Sequence, residues 1–127
     1  MGSTPADIPY TANAVDFDGS NDYLTRGAGF TGEADSTQGI FSGWFRLDNG
    51  DGTEFTLIRS LSARLTIDRL TTNKFKVNIT SNTGAVSLEF STVVTYAATA
   101  TWLHVLASWN TNYSAGNKLS HLYINSV

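Results

Sequence analysis

Along most of this chain apolar and polar side chains alternate with a period of two, and nowhere does a helical period persist beyond two turns. Successive side chains of an extended strand point to opposite faces, so the alternation predicts strands rather than helices. In the strand expected from Trp102 to Trp109, Leu103, Val105, Ala107 and Trp109 lie on one face and Trp102, His104, Leu106 and Ser108 on the other. Both faces are largely apolar, which predicts a central strand with material on either side. A return strand is expected beside it, with Leu122 and Ile124 facing opposite to Leu119, His121 and Tyr123. A polar loop over Asn110 to Lys118 is expected to join the two.

The rest of the chain reads as strands that fit this pair. Residues 1–12 hold both prolines and no periodicity, predicting an extended arm ahead of a domain over 13–127. Ala14 to Arg26 predicts a hairpin around Asp18-Gly19-Ser20-Asn21, followed by a glycine-rich loop from Gly27 to Gly39. In Ile40 to Leu47, Phe41, Gly43, Phe45 and Leu47 share the expected core face, and Ile40, Ser42, Trp44 and Arg46 lie opposite. Gly43 is expected to leave room for a large side chain from a facing sheet. Phe55 to Ser60 and Ala63 to Arg69 predict two strands joined at Leu61-Ser62. Lys74 to Thr80 then sets Phe75, Val77 and Ile79 inward, and a turn at Ser81-Asn82-Thr83-Gly84 leads to a partner carrying Val86, Leu88 and Phe90. Thr92 to Thr101 reads as a linker. The sum is an all-β chain, a two-layer antiparallel β-sandwich of about nine short strands.

Composition narrows the partners. Charged residues make up 15% of the chain, and 17 Thr, 13 Ser and 10 Asn take their place. A net charge of −3, with no basic cluster longer than Lys74 and Lys76, gives no electrostatic reason to expect nucleic acid or an anionic membrane. The absence of cysteine removes disulfides and thiolate metal sites. The opening MGSTPADIPYTANAV lacks the basic and apolar regions of a signal peptide, and no apolar run approaches a membrane span. A virion protein released by lysis fits those features, so the expected location is extracellular or on a virion surface.

Candidate chemistry is sparse. Asp48, Asn49, Asp51 and Glu54, in a loop flanked by Gly50 and Gly52, supply hard oxygen ligands for calcium, although the same composition serves a solvated turn. Sugar recognition needs an aromatic face with amides and carboxylates around it. Tyr113, between Asn110, Asn112 and Asn117, is the first candidate, and Trp44, on the non-core side of its strand, is the second. His104 sits in an apolar strand, where an imidazole bonded to a neighbouring strand is the common case. Gly27-Ala28-Gly29-Phe30-Thr31-Gly32 has dinucleotide spacing but no helix to follow it, so it reads as a loop. No hydrolase nucleophile motif or zinc motif occurs.

Three segments together resemble the laminin G-like branch of the concanavalin A-like lectin/glucanase superfamily. VDFDGSNDYL is similar to its Phe-Asp-Gly hairpin, IFSGWFRL to its tryptophan-bearing strand, and TWLHVLASWN with HLYINSV to its Trp-x-His-Val strand and return. The resemblance implies a jelly roll and a non-enzymatic module that binds a glycan or a protein surface, in the manner of a phage decoration or adhesion protein. Calcium on a loop belongs to the same expectation. The chain stops at Val127 where that family continues, which implies missing final strands and neighbours from other chains, as a homo-oligomer or larger assembly. A purely structural assembly domain, joined through sheet edges and the N-terminal arm, is the alternative. A degenerate glycanase is a further one, because Glu33, Asp35 and Gln38 resemble the glucanase carboxylate signature with an amide in the last position.

Overall fold

A computed structural model describes residues 14–17, 23–24, 36–60, 64–81 and 83–125. The expected arm over 1–12 lies outside them, as do Glu33, Asp35, the Gly27–Gly32 run and the joint at Leu61-Ser62, and so does most of the hairpin expected over Ala14 to Arg26. From residue 36 onward the described residues contain no helix and form seven strands: β1 Gln38–Arg46, β2 Phe55–Arg59, β3 Leu65–Arg69, β4 Phe75–Thr80, β5 Val86–Ser91, β6 Trp102–Ser114 and β7 Asn117–Ile124. They make two antiparallel sheets, one ordered β1-β6-β7 and the other β2-β3-β4-β5.

The alternation of the sequence decides which faces meet. From the three-stranded sheet, Leu103, Val105 and Ile124 pack against Phe75 of the other sheet, while Ala107 packs against Ile67 and Val77. Phe75, Val77, Ile67, Val105 and Ala107 are fully buried. Each of the larger ones contributes about 1.5–3 kcal/mol on leaving water. Phe41, Phe45 and Trp109 pack around this core and are half-buried. The two layers are therefore a β-sandwich whose interior is the face that the period-two pattern assigned. In β2 the pairing slips between Thr56 and Ile58, a bulge that turns both Leu57 and Ile58 toward the core.

Three expectations are corrected. The strand expected from Ile40 begins at Gln38, so Gly39 belongs to β1 and pairs with Trp109. A Cβ on Gly39 would stand 2.2 Å from the Trp109 ring, so the indole lies flat on backbone where any side chain would lift it off. Gly43 does not accommodate the facing sheet: a Cβ there would meet Phe41 at 2.7 Å and Phe45 at 3.4 Å. The rings of its own strand close over it, with centroids 6.1 Å apart. Finally, Asn110 to Lys118 is no open loop. β6 runs on to Ser114 past an irregularity, Ser114 pairs with Asn117, and Ala115-Gly116 form the tip with φ of 46° and 83°. Two positive φ values in a two-residue tip match the twist of the strands they join.

Candidate functional site

The central strand β6 was expected to be covered on both faces. Among the described residues only the inner face of its sheet is covered by the second sheet. On the outer face of β1-β6-β7, Ile40 is 73% exposed, Trp44 63%, Trp102 48% and Tyr123 42%. The register places Trp44 beside His104, Arg46 beside Trp102, and Leu106 between Ser42 and Tyr123. Aromatic and aliphatic groups thus lie in rows interleaved with hydroxyls and amides.

His104 is held from three directions. Its Nε2 lies 2.8 Å from Ser42 Oγ on the neighbouring strand, and its ring stands 4.8 Å from Trp44. Its backbone N–H donates to Asn125 Oδ1 at 2.8 Å, and its carbonyl accepts from Asn125 N–H at 2.9 Å. Asn125 adopts a left-handed φ of 55°, which a short amide side chain tolerates better than most residues. His104 is therefore a cross-strand structural histidine that also orients the Trp44 ring.

At the far end of the same face lies a shallow, open depression of about 510 Å³. Tyr113, Asn110, Gln38, His121, Leu119 and Ile40 are among the residues that line it. Tyr113 is 59% exposed there. The Asn110 Oδ1 accepts from Asn112 N–H at 2.9 Å, which fixes its amide, and Thr111 donates from both N and Oγ1 to Thr37 O, tying β6 to the start of β1. Of the residues singled out for sugar recognition, the fold brings Asn110 and Tyr113 together. Asn112 is exposed beside them, and Asn117 flanks the hairpin tip. Trp44 stands six residues along β1 from Gln38, roughly 20 Å away at the rise of a strand. It shares the face with the depression but not the depression itself. Gln38, Leu119 and His121 were not anticipated as lining residues, yet they occupy outward positions of β1 and β7, and pairing the three strands by period two finds them.

The acidic loop is committed elsewhere. Asp48 pairs with Arg46 at 2.8 Å. Asp51 accepts from the Ala98 N–H at 2.9 Å and pairs with Arg69, and Gly52 N–H donates to Asn73 Oδ1 at 3.0 Å. The Ala98 N–H first, and the Arg69 guanidinium second, hold the Asp51 carboxyl below the usual carboxylate range. Asn49 and Glu54 remain exposed. Of the four residues proposed for calcium, Asp48 and Asp51 thus have separate partners while Asn49 and Glu54 stay exposed, and among the described residues no three His, Cys, Asp or Glu side chains are grouped to hold a metal ion.

The loop's anchor is a side chain that the sequence did not flag. Arg69 is fully buried in a position of β3 that faces the core. Its Nη1 donates to Gly50 O at 2.7 Å, its Nη2 donates to Tyr96 O at 2.9 Å and to Asp51, and its guanidinium lies 5.6 Å above the Phe55 ring. One residue thereby fastens both the 48–54 loop and the 92–101 connection to the four-stranded sheet. Among the described residues no helix is long and apolar enough to cross a membrane, which says nothing of spanning strands. No protein-family model, no curated protein and no solved structure matches this chain.

Proposed function

We propose that this chain is a non-enzymatic, lectin-like binding module that takes a neutral glycan on the outer face of its three-stranded sheet. The observation that carries the reading is the depression around Tyr113, where an exposed phenol ring stands among the amides of Gln38 and Asn110 and the imidazole of His121. A sugar ring offers an apolar face to the aromatic ring and hydroxyls to the amides, and this set supplies both. Gln38 also occupies the last position of the segment that resembles the glucanase signature. An amide there fixes a hydroxyl but cannot donate and retrieve a proton, which favours binding over hydrolysis. The three-segment resemblance to laminin G-like domains supports a jelly-roll arrangement of the sheets and, with the uncharged composition, a place in a virion or surface assembly.

The test is a glycan array probed with the chain and with Tyr113→Ala. Binding to neutral glycans that drops at least tenfold in the variant supports the reading. Silence across a broad array, together with stable multimers in solution, favours assembly instead. That second reading has its own observation: among the described residues β1 and β7 each pair with β6 alone, leaving an outer edge on both sides of the sheet.

A further inference from the structure

Resting on the reading above, we infer that the ligand is an unbranched neutral polysaccharide lying along the strands, rather than a single terminal sugar held at Tyr113. The depression occupies only one end of the face. From Asn110 to Trp102 the outward positions of β6 cover eight residue steps, roughly 26 Å at the rise of an extended strand, which is several sugar rings long. The β1–β6 register holds without a slip from Gln38↔Asn110 to Arg46↔Trp102, so the face is one continuous surface. Exposed rings stand along it: Tyr113 at one end, Tyr123 in the middle, Trp44 and Trp102 at the other end. Trp44 is braced by His104 and is thus presented in a fixed attitude. Rigid rings contribute contact area at small cost in side-chain entropy, which suits repeated stacking on a chain of like units.

Charge selects the class of chain. Among the outward positions of the three strands the single ionic side chain is Arg46, and Asp48 neutralises it at 2.8 Å. The exterior of the other sheet differs, since it carries Lys76 and Glu89 in an ion pair at 3.9 Å. Among those outward positions a uronic or sulfated polymer would meet only Arg46, already paired with Asp48, whereas hydroxyls find Ser42, Ser108, Asn110 and Gln38 between the rings.

Isothermal titration calorimetry on the full chain tests this, with soluble oligomers of β-1,3-, β-1,4- and α-1,4-linked glucose and of β-1,4-linked mannose, from two to six units, and polygalacturonate as the charged comparison. In one neutral series affinity rises at least tenfold from two units to six. Trp44→Ala flattens that rise, and its thermal melt matches the parent because the side chain is exposed. If two and six units bind alike, or if Trp44→Ala keeps the rise, the polysaccharide inference falls while the binding reading stands. Tighter binding of polygalacturonate overturns neutrality. Heats indistinguishable from dilution for every neutral series overturn the binding reading and this inference with it.

Discussion

Replacing Arg69 by Met keeps the length and apolar stem of the side chain and removes five donors from a site with no access to solvent. Two backbone carbonyls, of Gly50 and Tyr96, lose a charge-assisted partner, and hydrogen bonds to charged groups contribute about 1.5–3 kcal/mol each. Against that loss stands the desolvation of the guanidinium, which the substitution relieves, and replacing buried ions with apolar groups often recovers 1–4 kcal/mol or so. Asp51 is 47% exposed and rehydrates once its partner is gone, so the ion pair itself adds little. The balance is a loss of about 2–3 kcal/mol, below the roughly 3–5 kcal/mol expected where both partners are buried. Arg69→Lys is expected to lose nearly as much, because a point charge on a flexible stem cannot serve three acceptors set around a planar fork. Urea unfolding followed by tryptophan fluorescence reads the change as a lower midpoint with an unchanged slope. Hydrogen exchange at the Ala98 and Thr53 amides should accelerate before global unfolding, since both belong to segments the guanidinium fastens. An Arg69→Met protein as stable as the parent, with both amides still protected, would refute the idea that this side chain clamps the two segments.

Four further outcomes are expected of the same structure. Asp51 has a lowered folded pKa, so the unfolded chain takes up its proton first; the stabilisation is complete above the ordinary carboxylate value near 4 and fades as pH falls through the folded one, and Asp51→Asn should flatten acid melts in that window. Gly39→Ala drives a methyl into the Trp109 ring and should cost about 1–3 kcal/mol, visible in thermal melts and as a shifted tryptophan emission. Phe75→Ala empties the space between the sheets and should cost about 3–5 kcal/mol by urea titration. Ala115→Asn relieves a left-handed φ of 46° at the hairpin tip and should raise stability by about 1 kcal/mol in the same assay.

The sequence carried the fold wherever one face of a strand was apolar and the other was not. β4, with Phe75 and Val77 buried and Lys76 outside, lies where period two sets it, and so does β6, where Val105 and Ala107 are buried on one of two largely apolar faces. It carried less where the chain is polar throughout. Thr111 to Ser114 has no buried side to betray a strand, so the hairpin extension became visible only through its backbone pairing. Arg69 escaped notice because a lone arginine at an inward position is read as a strand end, and its value depends on carbonyls from residues 50 and 96, which no local pattern brings together. The site was half legible for the same reason. Tyr113 and Asn110 are sequence neighbours, whereas Gln38 and His121 reach the depression by sheet register across the chain.

Titrating isotopically labelled protein with the neutral oligosaccharide that binds best, while recording amide and indole resonances, tests the central claim most directly. The account predicts shifts at the Trp44 and Trp102 indoles, at His104 and around Tyr113, with the Lys76–Glu89 exterior unchanged. Shifts confined to that opposite exterior, or to the 48–54 loop, would contradict it.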